Sequence, residues 1–245
     1  MIGTWINVGA ILLGALIGFA TKMDVSMRRQ QFIKVLLGVA SVWFGLKLCW
    51  NGLAARDVKF FFYQFFIVLV AMVLGHLIGK ICRIQQLFNR IGQTAKVKLE
   101  SAAAGGPGAG NDGFLAATLL FCAAPLGIVG ALENGLSPRN FEPLVIKAVM
   151  DGLAALSFAR TFGWTTLLSA VPVTALLSLL TVLGSRAEPW LSEHGLIGVV
   201  HASAGLIITY VALVIFEVKK VEIANYLPAL AVAPALMKLA QLIFS

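Results

Sequence analysis

Eight apolar runs, each close to the length of a membrane-crossing helix, follow one another along this chain. They centre on residues 4–21, 32–50, 60–82, 113–133, 141–160, 163–184, 195–216 and 222–244. A helix needs about 20 apolar residues to cross the hydrocarbon of a bilayer. Barrel strands would alternate in polarity and stop after about ten residues, so the runs read as helices. Of the 245 residues, 59% are hydrophobic and 12% charged, against roughly half and a quarter in a soluble domain. The expected fold is therefore an all-α, polytopic transmembrane bundle of about eight spans. The fourth and last runs contain prolines, Pro125 in one and Pro228 and Pro234 in the other, so one or more helices should be interrupted.

The basic residues orient such a bundle. The segments after the first, third, fifth and seventh runs hold Lys22, Arg28, Arg29, Lys80, Arg83, Arg90, Lys96, Lys98, Arg160, Lys219 and Lys220. The opposite side holds Arg56, Lys59, Arg139, Arg186 and Lys238. Lysine and arginine accumulate on the cytoplasmic side of membrane proteins, which puts the N-terminus outside the cytoplasmic membrane of a bacterial cell. The formal charge of +8 is read as this topology signal, with the lipid bilayer as partner and no nucleic acid. The opening MIGTWINVGAILLGALIGFATK has its basic residue after the apolar run. A cleavable signal peptide would have it before, so 4–21 is expected to stay as the first span. Cys49, Cys82 and Cys122 lie in or beside apolar runs without a CxxC spacing, which argues against a disulfide framework.

One stretch differs in kind. SAAAGGPGAGNDG (101–113) is small and flexible, the composition of a linker. It divides an N-terminal three-helix unit (1–100) from a C-terminal unit of about five spans (113–245), with 101–112 as a cytoplasmic tether. No GK[ST] follows its glycines, so it is not a phosphate loop. The basic run before it suits anionic headgroups. Small-residue seams at Gly14/Gly18 and Ala71/Gly75/Gly79 allow close helix contacts, and an oligomer of identical chains is compatible with them.

Polar groups placed at membrane depth point to function, since each costs about 2.5–3.5 kcal/mol at a span centre. Lys34, Lys47, His76, Glu133, Lys147, Asp151 and His201 are the ionisable ones. Lys34 and Lys47 can snorkel to the headgroups, and His76 sits one turn from Lys80. Lys147 and Asp151 are four residues apart, on one helical face. In LLFCAAPLGIVGALENGL (119–136), Pro125 removes a backbone donor and should kink or break the helix. Gly127 and Gly130 follow, then Glu133 and Asn134. Asn7 in the first span and Asn225 before Pro228 are further polar candidates.

Interrupted spans with polar groups beside them mark transporter binding sites. The candidate site for an unidentified small solute or ion is therefore Asp151, Glu133, Asn134, Lys147, Asn7 and Asn225. The helix breaks serving it are Pro125, Gly127, Gly130 and Pro228. A plainer reading stands beside it: a self-neutralised Lys147–Asp151 pair, a packing kink at Pro125, and Glu133 at the outer interface of a non-transporting scaffold.

Catalytic patterns are missing. A carboxylate dyad needs two carboxyls sharing a proton, and Asp151 is the one aspartate at membrane depth. In HASAG (201–205), His201 and Ser203 are two residues apart and point to different sides of a helix. No HExxH or other zinc spacing occurs. No enzyme, cofactor or metal is expected.

Four motifs in order resemble a known family: GTWIN at the start, LLFCAAPLGIVGALENGL, KAVMDGL, and EIANYLPAL near the end. They resemble the bacterial domain-of-unknown-function 554 proteins, the YqgA-like inner-membrane family. The resemblance runs over nearly the whole chain and implies a membrane protein without implying an activity. The chain departs from the family pattern at Ala124–Leu126. It departs again at Asn134, where the family often has Asp, so a paired-carboxylate cation site is not implied.

Overall fold

The computed structural model describes residues 1–21, 26–54, 57–104, 108–218 and 221–244. Among them every regular element is helical. Lys22, Arg56, Lys219 and Lys220 lie outside the described residues, as do residues 105–107 of the glycine-rich stretch.

Three long helices open the chain: α1 (Ile2–Ala20), α2 (Met27–Leu53) and α3 (Val58–Ile81). Asp57 caps α3 by accepting from the Lys59 N–H at 3.2 Å. Arg83, in the left-handed region at φ 55°, turns the chain into α4 (Ile84–Ala103). This helix is too polar to be a candidate span, and it packs along α5 (Ala109–Cys122), with Lys98 Nζ 2.9 Å from Asp112 Oδ1. Helix thus continues through Ser101–Ala103, and α5 begins at Ala109, so both ends of 101–112 are helical. Alanine, which fills 102–104, is the strongest helix former.

The fourth span is broken as expected. Helix α5 stops at Cys122, α6 (Pro125–Leu136) starts at the proline, and the two are bent by 57°. Proline has no N–H to continue a helix but suits its first position. There follow α7 (Glu142–Phe162), the single turn α8 (Thr165–Leu168), α9 (Ala170–Glu193) and α10 (Ile197–Ile215). A 3-10 turn, Ile223–Tyr226, then leads to α11 (Ala229–Phe244), with Pro228 at the junction and Pro234 inside the helix. Six of these segments are long and apolar enough to cross a membrane, and seven if the bent pair counts as one span. Helix α7 has the length of an eighth. Every stretch of it long enough to span carries three of Glu142, Lys147, Asp151 and Arg160, which is what marks it as special.

Glycine seams set the pairings. Helix α1 runs parallel to α7 so closely that a Cβ on Gly14 would strike the carbonyl of Gly152. Helix α2 runs antiparallel to α10 on Gly38, Gly45 and Gly52, and Gly135 of α6 meets Gly184 of α9. Two buried apolar groups result. One joins α1, α5, α7 and α9, and the other joins α2, α3, α10 and α11, with residues of α6 contributing to both. The helices of residues 1–100 are therefore distributed over both groups.

Candidate functional site

The break in the fourth span creates an acceptor. In an unbroken helix the N–H of residue 125 would bond the carbonyl of Phe121. Pro125 has none, and Lys147 Nζ donates to that carbonyl at 2.9 Å instead. The lysine reaches it across Gly127, where a Cβ would stand 2.5 Å from Lys147 Cε. One turn further along α7, Asp151 accepts a direct ionic hydrogen bond from Lys147 through Oδ2. The same Oδ2 accepts from Asn7 Nδ2 of α1 at 3.0 Å. The Gly14–Gly152 approach of α1 and α7 is what brings Asn7 within reach. Asn7, Lys147 and Asp151 are 0%, 2% and 7% exposed.

Lys147 and Asp151 line a cavity of about 340 Å³, and Asn7 lies behind them. Ala124, Pro125, Leu126 and Met150 line it beside Lys147 and Asp151, and Val211 and Ile215 of α10 face them. It therefore lies where the two apolar groups meet. Lys34 of α2 and Glu217, just past α10, also line it, joined at 2.8 Å. They lie towards the ends of their helices on the side opposite the N-terminus, where Gly38 meets Phe216. The hydrogen bond and charge of Lys34 hold the Glu217 carboxyl below the usual carboxylate range. Both partners are more than half exposed, so this ion pair adds little to stability.

The remaining candidates are brought together elsewhere. Glu133 is 1% exposed, so it is inside the protein rather than at an interface. Its Oε2 accepts from Asn140 Nδ2 at 3.0 Å and lies 2.6 Å from His201 Nδ1. Its hydrogen-bond network is separate from that of Asp151. Asn134 accepts from the Gly3 N–H at 3.3 Å and donates to the Pro138 carbonyl, fixing the start of α1. Gly130 lies against Leu144 and Pro143. Asn225 accepts from the Gln85 N–H at 3.0 Å and donates to Glu222 at 2.7 Å, which ties α4 to the turn before α11. Pro228 ends that turn.

His201 is missing from the sequence-predicted site: Ser203 is its neighbour in sequence, whereas its partner Glu133 is 68 positions away. The available signal was that Glu133 and His201 were both ionisable groups at membrane depth in need of neutralisation. Among the described residues no group of three or more His, Cys, Asp or Glu could hold a metal ion.

Comparison with known proteins agrees with the membrane architecture. The chain is 24% identical over 238 residues to the uncharacterized membrane protein YdfK of Bacillus subtilis (strain 168), covering 97% of this chain and 96% of that one. It is 26% identical over 237 residues to the uncharacterized protein YqgA of Escherichia coli (strain K12), covering 95% and 94%. No solved structure matches it significantly. The family described as "Protein of unknown function (DUF554)" matches residues 2–238, and with that coverage the chain belongs to the DUF554 family of membrane proteins.

Proposed function

We propose that this protein is a small secondary transporter of the bacterial cytoplasmic membrane, with its N-terminus outside and Asp151 as the exchanging group. One observation carries the reading: the buried Lys147–Asp151 pair, which Asn7 also bonds, lines a cavity at the point where a membrane span is broken. Irregular backbone at membrane depth is tolerated where it lines a cavity, and discontinuous helices build transporter sites there. A packing kink alone would not call for a charged pair beside it.

In this mechanism Lys147 neutralises Asp151 in the empty state, and the arriving solute or ion takes over part of that role. The bend at Ala123–Ala124 and the seam between the two helix groups are the parts able to move. Glu133, joined to His201 and Asn140, is in this mechanism the closure on the N-terminal side. The cavity then opens to the cytoplasm in this conformation.

Alternating access gives the test. Met150 lines the cavity and is 40% exposed, so Met150→Cys in a chain lacking Cys49, Cys82 and Cys122 should fold. A membrane-impermeant thiol reagent is expected to label it from the cytoplasmic face and, more slowly, from the outer face. Labelling restricted to one face would favour a non-transporting scaffold held by its glycine seams.

A further inference from the structure

Helix α4 is too polar to cross a bilayer, yet it starts where one ends. Only Cys82 and Arg83 separate it from the last residue of α3, a candidate span. Its first turn is held at that level by a reciprocal pair of hydrogen bonds. The Gln85 N–H donates to Asn225 Oδ1, and Gln85 Oε1 accepts from the Ala224 N–H, both at 3.0 Å. Asn225 in turn lies against Gly79, in the last turn of α3. Nothing in the transport mechanism uses this helix.

Three faces run along α4. Ala95 and Ala102 are buried, and Ile84, Phe88, Ile91 and Leu99 are half-buried, which makes one face that turns towards the protein. Gln86, Asn89, Gln93, Lys96 and Glu100 are exposed and polar, a face for water. Beside the buried face runs an exposed stripe of mixed character. Arg83, Leu87, Arg90, Thr94 and Val97 follow one another in steps of four and three, the spacing that keeps side chains on one side of a helix. Leu87 and Val97 are 57% and 63% exposed. Lys96 and Lys98 are engaged elsewhere, with Glu100 at 3.8 Å and Asp112 at 2.9 Å. Arg83 and Arg90 have no acidic partner among the described residues.

Such a stripe suits neither bulk water nor hydrocarbon. At the boundary both halves are satisfied: aliphatic tips enter the acyl region while arginine heads reach the phosphates. Since the stripe carries two cations and no acid, it favours headgroups of net negative charge. Each basic residue near an anionic surface strengthens docking by about fivefold. We infer that α4 lies along the membrane surface on the side opposite the N-terminus, docked on anionic phospholipids through Arg83, Leu87, Arg90 and Val97. The inference is independent of the transport reading, because it uses no residue of the cavity.

A nitroxide attached at Leu87→Cys, in a chain lacking Cys49, Cys82 and Cys122, reads the depth of the stripe in nanodiscs. Its collisions with oxygen, which concentrates in lipid, are compared with its collisions with a water-soluble nickel chelate. Gln93→Cys, on the water face, is the reference. In phosphatidylcholine discs containing phosphatidylglycerol, position 87 should favour oxygen over nickel several-fold more than position 93 does. In phosphatidylcholine alone that preference should fall. Arg83→Asn with Arg90→Gln should lower it in the anionic discs too, each change reducing the docked fraction relative to the undocked by about fivefold. Asparagine tolerates the left-handed backbone at position 83, and the lipid comparison is complete without the arginine variants. Nickel-dominated collisions at position 87 in the anionic discs would overturn the inference and leave the stripe to water or to a protein partner. An equal preference for oxygen in both kinds of disc would overturn it as well, since apolar contact would then occur without recognition of charge.

Discussion

Lys147 heads the largest side chains that are fully buried in this protein, and it is tolerated because three features converge on it. Asp151 supplies the counter-charge, Phe121 supplies a carbonyl freed by Pro125, and Gly127 leaves room for the stem. Removing one member of a buried pair is costly because the other charge is stranded. Asp151→Asn should therefore lower stability by about 3–5 kcal/mol, whereas replacing both charges with apolar groups of similar volume is often neutral. The Lys147→Met/Asp151→Leu double variant should regain the unfolding midpoint lost in Asp151→Asn while losing all solute uptake. A double variant as unstable as the single one would show that the pair is needed for folding and not only for binding. The pair itself was legible in the sequence, because an i, i+4 spacing puts two side chains on one helical face. Its neighbour Asn7 was only one of several polar candidates, since 144 positions separate it from Asp151.

At the scale of elements, the break between α5 and α6 is a local property of one residue. Pro125→Ala would restore an N–H able to bond Phe121 and so compete with Lys147 for the same carbonyl. The 57° bend should then decrease. Spin labels at Asn111 and Arg139, both exposed, should move apart as the two helices straighten, and an unchanged separation would mean that packing rather than Pro125 holds the bend. The glycine seams behave differently. Gly14/Gly18 and Ala71/Gly75/Gly79 announce close contacts, but not with which helix. The partners, α7 for the first and the 3-10 turn with the start of α11 for the second, depend on long-range packing. The glycine-rich stretch reads as a linker by composition, yet its described ends, Ser101–Ala103 and Ala109–Asp112, are helical, as alanine favours.

At the scale of the whole molecule, the parallel and antiparallel pairings place Gly3, Gly52, Leu144 and Gly198 towards one side, and Gly18, Gly38, Leu156 and Phe216 towards the other. The side opposite the N-terminus carries Arg83, Arg90, Lys96 and Lys98 on or beside α4, and by the positive-inside rule it is the side expected to face the cytoplasm. An alkaline phosphatase fused after residue 245 should accordingly be active, and a fluorescent protein fused there dark in cells. The reverse pattern would invert the assigned faces. What the sequence by itself determined was the membrane architecture, the break at Pro125 and the Lys147–Asp151 pair, because hydropathy, a missing N–H and helical spacing act within about twenty residues. Only the tertiary structure decided that Asn7 joins Asp151, that Glu133 pairs with His201 instead, and that a cavity lies at the meeting of two helix groups. Those outcomes depend on which glycine seams interlock between helices far apart in the chain, and a pattern of local spacing carries no information about that choice.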